Sequence, residues 1–115
     1  MDVVDLARFE RALDRTPKLK SRLFAEAELR TPERVLSLRS LAGRFAAKEA
    51  LIKALGDSTG IQWHDMQVVS GEDRNPRFVL SGAAAAVAAS KGARTLHLTM
   101  SHDAGVAVAM VVAES

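Results

Sequence analysis

The stretch Arg44-Phe45-Ala46-Ala47-Lys48-Glu49-Ala50-Leu51-Ile52-Lys53-Ala54-Leu55-Gly56 decides the fold. It forms most of a helix predicted over residues 40–55, with Leu41, Phe45, Ile52 and Leu55 on one side. Its alanines favour the helix, and Gly56 supplies a C-terminal stop because glycine accepts left-handed backbone. Glu49 falls four residues after Phe45 and three before Ile52, which puts a carboxylate on or beside the core-facing stripe. A charge taken out of water is costly unless paired or coordinated, so Glu49 requires a metal or cationic partner, or a cleft that opens to solvent. The plainer alternative is a surface ion pair with Lys53 in the stabilising i, i+4 order, worth about 0.3 to 0.5 kcal/mol. Arg44 and Lys48 share the helix with Lys53. Such a set of cations around one carboxylate suits phosphates bridged by a hard divalent ion on oxygen ligands.

Upstream, residues 5–14 carry Leu6, Phe9 and Leu13 at helical spacing, with Arg8, Arg11 and Arg15 on a neighbouring stripe, and Thr16-Pro17 ends the helix. Residues 18–29 predict a second, short helical piece around Leu19, Leu23 and Phe24. Thr31-Pro32 reads as a further helix start, since threonine caps and proline is tolerated at the first helical position. Downstream, strands at 66–70 and 77–80 flank a turn at 71–76 and form a hairpin. An alanine-rich helix at 83–90 follows, its small side chains allowing close packing on a sheet. Strands at 95–101 and 106–112, joined by His102-Asp103-Ala104-Gly105, complete the chain. The architecture is α+β: a small single domain over residues 1–115, with an antiparallel sheet packed against helices.

Composition bounds the function. A chain of 115 residues, 48% apolar and 26% charged, is long enough for one core, though alanine makes that core thin and oligomerisation would help. The lack of cysteine excludes disulfides, thiolate zinc sites and cysteine nucleophiles. The longest apolar run, residues 106–113, falls far short of the roughly 20 residues that span a bilayer, and no basic-then-apolar leader opens the chain; a cytoplasmic protein is expected. Charge is regional. Residues 1–53 hold twelve Lys/Arg against eight Asp/Glu, and residues 54–115 four against six. The densest basic part, Arg8, Arg11, Arg15, Lys18, Lys20 and Arg22, points to an acidic or phosphorylated partner, the alternative being a solvated helix face.

Asp2 offers a second oxygen ligand beside Glu49, unless it is a frayed terminal residue. His102 opens the loop after a strand, between Ser101 and Asp103, which favours a site over a core position, the alternative being a merely exposed loop histidine. With these residues the chain resembles the holo-acyl-carrier-protein synthase family of 4′-phosphopantetheinyl transferases. Three blocks carry the resemblance, in the family's order: Asp2-Val3-Val4-Asp5-Leu6-Ala7-Arg8-Phe9, the helix stretch from Arg44 to Gly56, and Leu98-Thr99-Met100-Ser101-His102-Asp103 running into Val106-Ala107-Val108-Ala109. The middle block is the specific one.

The resemblance implies transfer of phosphopantetheine from coenzyme A to a serine of apo acyl carrier protein, in fatty acid or polyketide biosynthesis, with release of adenosine 3′,5′-bisphosphate. Magnesium is the implied metal, with Asp2 and Glu49 its protein ligands. Arg44, Lys53, Gly56, Ser101 and His102 match positions near the coenzyme. Glu49, Lys53 and His102 carry the implied catalytic roles; the proton acceptor stays open between Glu49, a metal-linked water and His102, with the water favoured. The basic first helix, with Arg8, Arg11 and Arg15, corresponds to the surface that docks the acidic carrier protein, and the implied assembly is a homotrimer with sites between subunits. The family begins several residues earlier, with a short glycine-containing strand. Here Met1-Asp2 opens the chain, which reads as a truncated strand and predicts a poorly anchored ligand unless another element holds Asp2. Two competing readings are a non-enzymatic basic module for RNA or another polyanion, and a purely structural oligomer. The first has scattered aromatics where single-strand readers need platforms, and the second leaves Glu49 unexplained.

Overall fold

The computed structural model describes residues 1–30, 35–70 and 75–115. Strand β1 (Asp2–Asp5) leads directly into helix α1 (Leu6–Arg15), and two short helices, α2 (Leu19–Leu23) and α3 (Glu26–Leu29), precede the long helix α4 (Leu38–Leu55). A 3-10 turn at Trp63–Asp65 opens strand β2 (Met66–Ser70), which pairs with β3 (Pro76–Leu80). Helix α5 (Gly82–Ser90) then leads to β4 (Thr95–Asp103) and β5 (Val106–Glu114). Among the described residues the strands form two antiparallel sheets, one of order β1-β5-β4 and the β2-β3 hairpin. The expected helix start at Thr31-Pro32 and residues 71–74 of the expected turn lie outside the described residues.

Three features differ from the sequence reading. The helical piece expected over 18–29 is two helices, broken where Phe24 and Ala25 turn extended. The first residues are not frayed: Asp2 to Asp5 pair with Ala109 to Val106 of β5, and β1 is held as an edge strand. His102 does not open a loop, because β4 continues through His102 and Asp103, which pair with Ala107 and Val106. The connection is only Ala104-Gly105, both at positive φ (50° and 79°), the backbone that a two-residue hairpin needs. Asp103 helps by accepting the Ala104 N–H at 2.8 Å.

Helix α4 runs along the inner face of the three-stranded sheet, packed chiefly on β5 and also on β1 and β4. Ser37 caps its start by accepting the Ser40 N–H, and Gly56 ends it at φ 72°. A side chain at Gly43 would begin 3.7 Å from the Met100 sulphur, and Ala46, Ala47 and Ala50 continue that face at helical spacing, all fully buried. Ala107 and Ala109 of β5 are fully buried as well. Small residues on both layers bring the helix close to the strands.

The opposite side of α4 is also covered, by α2, α3, the 3-10 turn and β2. Its deepest stripe, Leu41, Arg44, Lys48, Leu51 and Leu55, follows alternating three- and four-residue steps and contains two cations. Lys48 is completely buried. Its ammonium donates to the Leu23 carbonyl (2.6 Å), Glu28 Oε1 (2.8 Å) and the Trp63 carbonyl (3.1 Å), and lies 5.0 Å from the centre of the Phe24 ring. Glu28, equally buried, accepts the Ala25 N–H through Oε1 and the Val68 N–H through Oε2. Burial pushes the Lys48 pKa down while Glu28 pulls it back up. Three acceptors around one nitrogen require the three N–H bonds of the charged form. Lys48 is therefore a structural clamp, and its expected place among phosphate-facing cations is corrected by its position on the buried stripe.

Removing that clamp strands a buried carboxylate. Lys48→Met is expected to lower unfolding free energy by about 3–5 kcal/mol, the usual cost of breaking a buried pair from one side. Denaturant titration checks this, and a loss below about 1 kcal/mol would contradict the assigned role.

Candidate active site

The inner face of the sheet places Asp2, Ala109 and Met100 in one cross-strand row and Val4, Ala107 and His102 in the next. Asp2 thus points to the same side as α4, at the outer edge formed by β1. Because α4 crosses so close, Glu49 and Lys53, one turn apart on its open flank, arrive beside that edge. Lys53 Nζ lies 2.7 Å from Asp2 Oδ1. The surface pair with Glu49 that spacing alone allowed is replaced by this long-range one. Both carboxylates line an open cleft of about 410 Å³, together with Asp5, Arg8 and the rings of Phe9 and Phe45.

Each wall has a local cause. Asp5 is the N-cap of α1 and accepts the Arg8 N–H at 2.9 Å, which sets the sharp passage from β1 into α1 and brings Arg8 over the cleft. Phe9 stacks on Phe45 with centroids 5.5 Å apart and an interplanar angle of 22°, fixing α1 to α4; Phe45 in turn packs on Trp63 at 5.5 Å. Beyond the cleft, Arg11 and Arg15 stand exposed along the same helix.

The charges perturb one another. Burial raises the Glu49 pKa above the ordinary carboxylate range, the Asp2 charge raises it further, and Lys53 opposes both. Lys53 is raised, first through its hydrogen bond to Asp2. Two acidic groups forced together at one end of a cleft attract a cation. Among the described residues no cluster of three or more His, Cys, Asp or Glu side chains is poised to cage a metal. Two carboxylates in an open cleft fit magnesium, which keeps several waters and is often bound through one or two carboxylates plus substrate phosphates.

The remaining expected residues lie elsewhere in the chain. Arg44 is buried and faces β2, where Nε donates to the Val68 carbonyl (3.3 Å) and a terminal nitrogen to Ser70 Oγ (3.4 Å). Gly56 is the exposed helix stop. His102 and Ser101 are exposed on β4, at the sheet edge opposite Asp2, and strand alternation points them to opposite faces. One chain therefore unites Asp2, Glu49, Lys53 and Arg8, and does not bring His102, Ser101 or Arg44 to them. The sequence reading missed Glu28 and the Asp2–Lys53 pair. The signal for Glu28 was present in the stripe 41/44/48/51/55, which buries Lys48 and so requires an anion; no local pattern announces a contact between positions 2 and 53.

The outer face of the sheet is unusual for its apolar exposure. Val3, Met110 and Val112 are 55%, 46% and 51% exposed, with Val106 and Val108 between them half-buried.

Comparison with known proteins identifies the family of the whole chain. The family model described as the 4′-phosphopantetheinyl transferase superfamily matches residues 1–110. A protein of Leifsonia xyli subsp. xyli named holo-[acyl-carrier-protein] synthase is 58% identical over 114 residues, covering 99% of this chain and 92% of its own. The crystal structure of Helicobacter pylori holo-[acyl-carrier-protein] synthase in complex with coenzyme A superposes with a TM-score of 0.83 at 29% identity, covering 98% of this chain and 96% of that one. The synthase from Neisseria meningitidis gives 0.86 at 29% identity, with 99% and 94% covered. The family match, the sequence identity and the shared fold agree, and the chain belongs to the holo-acyl-carrier-protein synthase family of 4′-phosphopantetheinyl transferases.

Proposed function

We propose that this protein transfers the 4′-phosphopantetheine group of coenzyme A to a serine of apo acyl carrier protein in a magnesium-dependent reaction, releasing adenosine 3′,5′-bisphosphate. The observation that carries the reading is the meeting of Asp2 and Glu49 in one open cleft at the foot of a basic helix. The names of the relatives and the coenzyme bound to the Helicobacter enzyme support the same substrates. The serine oxygen attacks the phosphorus that bears the pantetheine arm, and the bridging oxygen leaves with the nucleotide. Such a transfer needs alignment and charge neutralisation more than a protein nucleophile.

Asp2 and Glu49 would hold the magnesium, which supplies Lewis-acid polarisation of the phosphoryl oxygens. Lys53 offers the diphosphate a mobile cation, and Arg8, which lines the same cleft at the start of the basic helix α1, would face both the coenzyme and the carrier protein. With Glu49 committed to the metal and His102 two strands away in the same chain, a water held in the cleft remains the favoured proton acceptor, with Glu49 and His102 the alternatives. Arg11 and Arg15, exposed beyond Arg8, extend the positive surface along which an acidic carrier protein is drawn in.

The assembly in this reading is a homotrimer. Val3, Met110 and Val112 form an apolar face that a lone chain leaves wet, continuous with half-buried Val106 and Val108. Asp2 and His102 sit on opposite edges of one sheet, so a site using both takes them from different subunits. Ser101 lies on that outer face, so coenzyme contacts by Ser101, His102 and Gly56 are roles completed across the interface, whereas Arg44, buried against β2, would serve the site by holding that strand to α4. The protein acts in the cytoplasm, a setting that a cysteine-free sequence suits. A polyanion-binding module gains no support: Phe9 and Phe24 are buried, Phe45 packs between Phe9 and Trp63, and Phe78 is half-buried against the core, so among the described residues no aromatic platform is presented.

Mass spectrometry of apo carrier protein incubated with this chain, coenzyme A and magnesium is expected to show a phosphopantetheine mass gain; no gain would sink the proposal. In the same assay Glu49→Gln should cost about a hundredfold or more in rate with an unchanged melting curve, because the metal's share of transition-state stabilisation is several kcal/mol. Full activity in that variant removes the metal role. Arg8→Glu combined with Arg11→Glu should raise the KM for carrier protein far more than that for coenzyme A, and equal increases would argue against a docking helix. Met110→Glu should yield monomers in analytical ultracentrifugation and lose transfer; a variant that stays trimeric places the interface elsewhere.

A further inference from the structure

Lys53 holds the carboxylate that a metal would need. Its Nζ stands 2.7 Å from Asp2 Oδ1 and 3.5 Å from the Met1 carbonyl oxygen. The two partners differ in freedom. Asp2 is anchored in β1 with its side chain 15% exposed, whereas the Lys53 side chain is 58% exposed on a flexible four-carbon stem. The ammonium therefore covers an immobile carboxylate from the solvent side and can leave without moving backbone. A dication on either oxygen of the same carboxylate would stand within a few ångströms of a like charge, and the two repel.

We propose that Lys53 is the resident counter-ion of Asp2 and is exchanged for the divalent cation when the coenzyme diphosphate enters. The diphosphate gives the ammonium a new anionic partner, which frees Asp2 for the metal. Asp2 is then compensated both before and after the exchange. Metal alone binds weakly, because it must displace Lys53 without offering it a partner. Metal and diphosphate reinforce each other's binding, in equal measure by linkage. This inference rests on the proposed metal site and adds a coupling that the site's two ligands alone do not produce.

Binding of Mn²⁺, followed by its electron paramagnetic resonance signal in the full chain at low ionic strength, tests it without turnover. In the absence of coenzyme, Lys53→Met should bind Mn²⁺ about fivefold or more tightly than the unaltered protein, with the gain shrinking as salt screens the charges. Lys53→Arg, which keeps the charge, should stay within about twofold of the unaltered protein. Coenzyme A should tighten Mn²⁺ binding more in the unaltered protein than in Lys53→Met. Equal or weaker metal binding by Lys53→Met overturns the exchange, as does an equal gain in Lys53→Arg. Glu49→Gln separates the two readings. If it loses Mn²⁺ while Lys53→Met binds like the unaltered protein, the metal site stands and the exchange fails; if it binds Mn²⁺ undiminished, both fall.

Discussion

The close seat of α4 on the sheet is the constraint on which the rest depends. Gly43, Ala46, Ala47 and Ala50 on the helix and Ala107 and Ala109 on β5 keep the contact between the layers small. Dense interiors transmit such constraints, since a core position tolerates few added methylenes without shifting its neighbours. The consequence appears one strand over. With the helix this near, its open flank overhangs β1, and a side chain at position 53 reaches one at position 2.

A helix covered on both sides has few places to put charge, and α4 divides its charged side chains by depth. Arg44 and Lys48 are spent inside, the first on the backbone and hydroxyl of β2 and the second on Glu28 and two carbonyls. Glu49 and Lys53 remain at the open flank. The buried pair ties α2, α3, the 3-10 turn and β2 to the back of the helix, so the front presents its carboxylate in a constant orientation. Buried charge here serves geometry.

Much of this was legible in the sequence, for identifiable reasons. Gly56 as a helix stop, the basic stripe of α1 and the β2-β3 hairpin follow from local rules that three-dimensional context did not override. The single apolar stripe assigned to α4 was too simple, because a central helix is buried nearly all round and periodicity then loses its contrast. Lys48 was misplaced for that reason. The sequence reading ends the strand at Ser101 and starts the loop at His102, whereas the tight Ala104-Gly105 turn lets the strand run on to Asp103. The contact between Asp2 and Lys53 joins the first strand to the end of α4, and no window of sequence contains both. The division of Asp2 and His102 between opposite sheet edges was likewise invisible before the strand order β1-β5-β4 was known.

The central claim is that two carboxylates from distant parts of the chain, one on a strand and one on a helix, form a single metal-binding edge. Anomalous scattering from manganese in a crystal grown with coenzyme A tests it most directly. The account predicts one peak bridging the carboxylates of Asp2 and Glu49, with Lys53 withdrawn toward the diphosphate. A well-ordered coenzyme whose manganese lies away from both residues, with Lys53 still seated on Asp2, would contradict it.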